Sequence, residues 1–237
     1  MRWIRFLWGW LLIPCCYAAL RTLAHLVQCA DPASSWLISP TGLLMGGGFV
    51  LWLFLYLVLP RPVRAYVLAH ELTHALWGLI HGRRVSQLRV SAQGGSVRIE
   101  KPNTLITLAP YFFPFYTLGF VALYGIASLF ADLSAWRPVW LGAVGFPWGF
   151  HITFTFDALL EHQTDIQKVG YLFSYTFIFL LNALGLAFWL VAVGPPSLLD
   201  LTTSLARESW DATRLCAGML SATVFWIYNK IDPATVS

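Results

Sequence analysis

Two histidines and a glutamate lie close together in residues 69–85, AHELTHALWGLIHGRRV, of this 237-residue chain. If this segment is a helix, His70 and His74 lie one turn apart on one face, so both imidazoles can bind one metal ion. Glu71 projects about 100° around the helix from His70, where it can reach a metal-bound water without binding the ion itself. Zinc lowers the pKa of such a water to about 7, and a nearby carboxylate can accept the proton. The spacing therefore predicts a Zn²⁺ site with His70 and His74 as ligands and Glu71 as the catalytic base.

The composition around this motif is that of a membrane protein. The chain is 58% hydrophobic and 11% charged, whereas soluble domains are about 45–50% apolar and about 25% charged. Polar side chains are too few to cover a globule, so lipid must cover much of the surface. Two histidines and a glutamate on an apolar helix are costly in lipid unless they have a function. The composition favours a multi-pass integral membrane protein, of a bacterial-type cytoplasmic membrane, and disfavours a chance motif.

The net charge of +4 does not indicate a nucleic-acid partner. The basic residues form short clusters at the ends of apolar runs, as they do at membrane interfaces. The partners we expect are the lipid bilayer and a membrane-protein or peptide substrate, and the sequence leaves the oligomeric state open. The four cysteines, which stand at positions 15, 16, 29 and 216, resemble neither a disulfide framework nor a zinc knuckle.

The apolar runs predict an all-α polytopic membrane protein with about five to six transmembrane helices. The predicted elements are a first span at about 6–27, a second at about 42–60, the motif helix at about 65–81, apolar stretches at about 104–130, 136–157 and 169–194, and a final helix at about 203–229. Pro110 and Pro114 should break or kink the stretch that contains them. The final helix has a charged first half, so we expect it to lie in the membrane interface.

We expect one membrane-embedded domain over residues 1–237. A peripheral first span takes up residues 1–41, the core about 42–194, and a C-terminal helix about 198–237. Residues 86–101, SQLRVSAQGGSVRIEK, alternate apolar and polar side chains on either side of Gly94 and Gly95, which predicts a small β-hairpin. A hairpin exposed to lipid would leave backbone groups unpaired, so it should lie at the interface or against protein. Gly94 and Gly95 are candidate substrate contacts.

A catalytic zinc ion usually has three protein ligands and one open position. His81 lies about two turns beyond His74 and is too far away to share the ion. Residues 151–174 offer further potential ligands, which are His151, Asp157, Glu161, His162 and Asp165. His151 and Asn182 are candidates for orienting the ligands or the substrate, although a lone polar residue in a membrane bundle is more often a packing residue.

Residues 70–85 resemble the site-2 protease family of intramembrane zinc metalloproteases. That family shows His-Glu-x-x-His-Ala, a glycine twelve residues after the first histidine, and then a valine. The corresponding residues here are His70, Glu71, His74, Ala75, Gly82 and Val85. A short hairpin with Gly-Gly and a proline-containing span next in order are also similar, and the resemblance covers roughly residues 40–190.

The resemblance implies a third zinc ligand from an aspartate on a later span, within an Asn-x-Asp-Gly or Leu-Asp-Gly motif. Asp165, 95 residues after His70, is similarly placed, but the next glycine is Gly170. We therefore take Asp165 as the third ligand, with Asp157, Glu161 and His162 as alternatives. The activity we expect is hydrolysis of peptide bonds in or near transmembrane segments. Two alternatives are a membrane zincin that uses Glu161 as its third ligand, and a metal-binding scaffold without catalytic activity.

Overall fold

A computed structural model describes residues 2–28, 39–91, 93–161 and 163–231. These residues are mostly helical and contain one two-stranded antiparallel sheet. The helices are α1 (Arg2–Gln28), α2 (Pro40–Val58), α3 (Val63–Ile80), α4 (Thr104–Leu108), α5 (Phe115–Ser128), α6 (Arg137–Leu160), α7 (Thr164–Val169), α8 (Tyr171–Val193) and α9 (Leu198–Ile231). The strands are β1 (Val85–Ser91) and β2 (Gly94–Ile99). The predicted helical fold with a hairpin after the motif helix is confirmed.

The number of transmembrane helices is smaller than predicted. Within the described ranges, α1, α2 and α8 are long and apolar enough to cross a membrane, and the bent pair of α4 and α5 makes a fourth if it is counted as one span. The prediction of five to six was wrong because α3 and α6 meet the length but not the composition. The first carries charged and imidazole side chains, and the second is diluted by glycine, proline, threonine, histidine and aspartate.

The break expected in the fourth apolar run lies where the prolines are. A 3-10 turn over Ala109–Tyr111 follows α4, and α5 begins after Pro114. The two parts meet at an angle of 82°. This bend allows residues 106–111 to contact the motif helix.

Helices α2 and α6 pack closely because glycines stand at their contact. A Cβ atom at Gly48 would collide with the backbone of Gly142, and one at Gly145 would collide with the backbone of Met45. Small residues of this kind allow membrane helices to approach at backbone distance. Trp52 of α2 packs edge to face with Phe146 of α6 and at a tilt with Phe150, and these aromatic side chains continue the contact towards the end of α6. The two helices pack together beside the first half of α3.

The hairpin packs against α3 rather than standing free, as predicted from its unpaired edge. Val85 pairs with Ile99, and Ser91 pairs with Gly94 at the turn end. The register is irregular between Ser86 and Arg89, which is a bulge that bends β1. Gly78 of α3 lies against Val85 and Ile99, so the base of the sheet is anchored on the second half of the motif helix.

Candidate metal centre

The two histidines of the motif lie side by side on α3. Their ring centroids are 4.8 Å apart, as expected for positions one helical turn apart. His74 is buried and His70 is largely buried. The helix that holds them continues for two turns before His70 and nearly two after His74, so neither ligand stands at a frayed end.

Asp165 of α7 completes a cluster with these histidines. Its Oδ2 lies 3.2 Å from Nε2 of His74 and 3.7 Å from Nε2 of His70. Ligand atoms at about 2.0–2.2 Å from a tetrahedral zinc are about 3.3 Å from one another, so these spacings fit a shared ion. All three ligand atoms lie within 4.8 Å of one another, and among the described residues this is the one such group of His, Cys, Asp and Glu.

The outer nitrogen of each imidazole has a hydrogen-bond partner. Nδ1 of His74 lies 2.8 Å from the carbonyl oxygen of Ile106, and Nδ1 of His70 lies 3.4 Å from the hydroxyl of Tyr66. A carbonyl only accepts, so Nδ1 of His74 carries a proton, and Nε2 is the nitrogen that is left to bind a metal ion. Partners of this kind orient metal-binding histidines in known sites. The chemistry of the donor set, two imidazoles and one carboxylate, suits a zinc ion.

Asp165 is also in contact with Lys168, one turn along α7. The ammonium lies 3.5 Å from Oδ1, the oxygen that does not face the histidines. Burial alone would raise the pKa of the Asp165 carboxyl, but hydrogen bonds with His70 and His74 outweigh burial and hold this pKa well below its usual range. The carboxylate is therefore charged at neutral pH.

Glu71 lies beside the cluster and lines the same cleft. It is buried at 7% exposure, and this burial raises the pKa of its carboxyl, although a hydrogen bond with the backbone of Val97 acts in the opposite direction. A Cβ atom at Gly95 would stand 2.6 Å from Cγ of Glu71 and 2.6 Å from Cγ1 of Val67. Only glycine at position 95 allows β2 to pass this close to the glutamate. Gly94 also lines the cleft, with an open space beside its Cα.

The cleft has a volume of about 610 Å³ and two kinds of wall. One wall is β2 with the segment that leads into α4, and the other is the end of α6 with the turn into α7. Charged and amide side chains line much of the cleft, which are Arg61, Asp157, Glu161, Gln163, Asp165 and Lys168. This polar lining gives water a path to the cluster.

Two of the three alternative ligands, Asp157 and Glu161, are not part of the cluster. Asp157 accepts hydrogen bonds from the hydroxyl of Tyr56 and from the guanidinium of Arg61, at 2.5 and 2.9 Å. Glu161 ends α6, is exposed, and accepts a hydrogen bond from Gln163. His162 lies outside the described residues.

His151 and Asn182 contact each other but do not line the main cleft. Nε2 of the histidine lies 3.2 Å from Oδ1 of the amide, whose nitrogen donates to the carbonyl oxygen of Tyr111 at 2.8 Å. The ring of Tyr111 packs edge-on against His70 at 5.4 Å. The pair therefore supports the cluster from behind, and His151 lines a second, much smaller cavity next to His70.

Sequence reasoning missed Tyr66, Ile106 and Lys168. Tyr66 stands four residues before His70, and Lys168 three after Asp165, so helical spacing would have found both once the ligands were chosen. The contribution of Ile106 is a backbone carbonyl, which carries no signal in the side-chain sequence. No known protein family, curated protein or solved structure matches this chain.

Proposed function

We propose that the chain is a membrane-embedded zinc endopeptidase similar in mechanism to the site-2 proteases. The observation that supports this most directly is the meeting of His70 and His74 with Asp165, a residue 95 positions later in the chain. A chance motif on one helix has no reason to gain a carboxylate from a distant helix at metal-binding distance. Glu71 in the same cleft adds the base that hydrolysis needs.

The proposed chemistry follows from the positions of the four side chains. A zinc ion bound by His70, His74 and Asp165 would polarise the substrate carbonyl and lower the pKa of a bound water. Glu71 accepts the proton of the attacking water and then donates it to the leaving amine. The carbonyl of Ile106 keeps the imidazole of His74 in the tautomer that binds metal.

The proposed substrate is an extended peptide from a transmembrane or juxtamembrane segment. Strand β2 lines the cleft and pairs only with β1 among the described residues, so its other edge can pair with a peptide strand. A helical substrate has to unwind first, because its backbone carbonyls are otherwise hydrogen-bonded within the helix. Helices α1, α2 and α8, with exposed apolar faces such as Leu57 at 74%, are compatible with a site that lies in a membrane.

The test is metal content and cleavage measured on the same preparations. Purified wild-type protein should contain about one zinc per chain, and a His70→Ala, His74→Ala double variant should contain none. Glu71→Gln should keep the zinc and lose peptide cleavage by roughly 10²- to 10⁴-fold, since it keeps the shape of the side chain and removes the base. Tightly bound zinc at the wild-type level in the double variant would sink the proposal.

The alternatives give different outcomes in the same assays. If Glu161 is the third ligand, Glu161→Ala loses zinc and Asp165→Ala keeps it. If the protein is a scaffold without activity, zinc is present but Glu71→Gln cleaves every membrane substrate as well as wild type does. The geometry argues against both alternatives. Glu161 stands outside the cluster, and Glu71 lines the cleft where a base is needed.

A further inference from the structure

The proposed third ligand, Asp165, stands on a short helix. Helix α7 has six residues, and isolated helices shorter than about 12 residues are marginal in water. Two buried side chains, Ile166 and Val169, attach one face of α7 to the core. Asp165, in the first turn of this short helix, lines the cleft. How firmly the Asp165 carboxylate is positioned therefore depends on the contacts that hold the rest of α7.

Arg5 of α1 holds the end of α7. Its Nη1 donates to the carbonyl oxygens of Lys168 and Val169, at 3.1 and 3.4 Å. The last carbonyls of a helix have no partner within the helix, and a positive charge near them is favourable. Within the described parts of the chain, no other side chain donates to the carbonyls of residues 166–169. The Lys168 that Arg5 holds by its backbone also contacts Asp165 by its side chain.

The position of Arg5 is itself fixed by the packing of α1 on α8. A Cβ atom at Gly9, one turn after Arg5, would come within 2.8 Å of Leu172 Cγ and 2.9 Å of the Phe173 backbone nitrogen. Further along the same face, Sγ of Cys16 lies 3.2 Å from the carbonyl oxygen of Thr176. This face of α1 cannot slide on α8 without a collision, and the guanidinium is held at the start of α8, where α7 ends.

We propose that Arg5 is a positioning residue for the Asp165 ligand, so that the first helix completes the metal site although it contributes no ligand. This inference rests on the proposed metal site. It assigns α1 a role that the sequence does not indicate, because the sequence predicts a peripheral first span. Asp165, Lys168 and Arg5 then form one connected path from the cluster to α1.

The experiment is cobalt binding to the full chain in detergent, with Co²⁺ as the metal probe. Arg5→Ala should weaken cobalt binding by roughly tenfold, the lower end of what outer partners of metal ligands contribute. It should also change the visible absorption of bound cobalt, which reports ligand geometry. The matched control is Arg21→Ala, on the same helix, which removes a 3.3 Å ion pair with Glu208 of α9 and should leave both readouts at the wild-type level.

Arg5→Gln serves if Arg5→Ala does not give folded protein. It keeps a hydrogen-bond donor and loses the charge, so cobalt should bind about two- to fivefold more weakly, the size of a charge–dipole contribution. Arg5 variants with wild-type cobalt affinity and spectrum, or an equal change in Arg21→Ala, would overturn the inference. A wild-type protein that binds no cobalt would overturn it together with the proposed function, whereas metal binding without cleavage would overturn the peptidase alone.

Discussion

Asp157 and Asp165 line the same cleft, eight residues apart in the chain, yet they have opposite surroundings. Asp157 accepts hydrogen bonds from Tyr56 and from Arg61, and the guanidinium also lies over the tyrosine ring at 4.7 Å. Asp165 faces the Nε2 atoms of two imidazoles. The first carboxylate joins the end of α2 to the end of α6, and the second joins α7 to α3.

The difference shows which of the two carboxylates is placed to bind a metal ion. Arg61 is charged at every accessible pH, so the negative charge of Asp157 is already balanced by a partner that does not lose its proton. Imidazoles that bind metal are neutral, so the charge of Asp165 is left for a cation between them. Lys168 contacts only the oxygen that points away from the histidines and is 70% exposed. The two residues are of the same type and lie at similar distances from the motif along the chain. Only their hydrogen-bond partners distinguish the candidate ligand from the structural carboxylate.

The largest expected effect is on metal binding after Asp165→Ala. Loss of one of three ligands should weaken zinc binding by more than the roughly 10- to 100-fold seen when only an outer partner is lost. Isothermal titration with a competing chelator measures it. Asp157→Ala is the matched control and should change zinc affinity by less than about twofold, since its partners lie outside the cluster. Equal losses in the two variants would remove the distinction between these aspartates.

The next largest effect is expected at Gly95 of β2, which lines the same cleft as the two aspartates. Gly95→Ala introduces a Cβ that collides with Glu71 and Val67, so it should displace the proposed base and lower kcat for peptide cleavage by roughly 10- to 100-fold. Zinc content should not change, because no ligand is touched. Gly94→Ala, where nothing lies within 4 Å of the added atom, provides the comparison, although its φ of +137° adds backbone strain. Loss of zinc in Gly95→Ala would show that the hairpin supports the ligands as well.

Local patterns in the sequence predicted the part of the site that lies within one helix. The spacing of His70, Glu71 and His74 requires only that α3 be helical, and the Gly-Gly turn requires only local backbone freedom. Asp165 was selected by resemblance, because the residues alone left five candidates open. The count of spans failed where polar side chains, glycine and proline dilute the apolar composition, as they do in α3 and α6. Contacts such as Arg5 with α7 depend on helix packing over 160 residues of separation, which no local pattern reports.

A smaller effect is expected on stability from the other aspartate. Asp157→Ala removes the link between α2 and α6 and leaves Arg61 without its acceptor, so it should lower the free energy of unfolding by about 1–2 kcal/mol. A double-mutant cycle with Arg61→Ala, followed by denaturant titration in micelles, should give a coupling of about 0.5–1 kcal/mol, because Arg61 is half-exposed. A coupling near zero would mean that the tyrosine hydroxyl alone holds Asp157.

The smallest effect on zinc affinity is expected for a change at Tyr66, which lines the same cleft as the two aspartates. Its ring stacks on Phe154 of α6 at 4.7 Å, and its hydroxyl lies 3.4 Å from Nδ1 of His70. Tyr66→Phe keeps the stacking and removes the hydroxyl, and a contact this long should contribute near the lower end of about 0.5–1.5 kcal/mol, or about two- to threefold in zinc affinity. Tyr116→Phe, which removes a hydroxyl that donates to the backbone of Ala65 on the same helix, should leave zinc affinity unchanged. If Tyr66→Phe lowers zinc affinity by more than about tenfold, this hydrogen bond must shorten when metal binds. The packing of Tyr66 on Phe154 of α6 would then help to orient His70 for the metal.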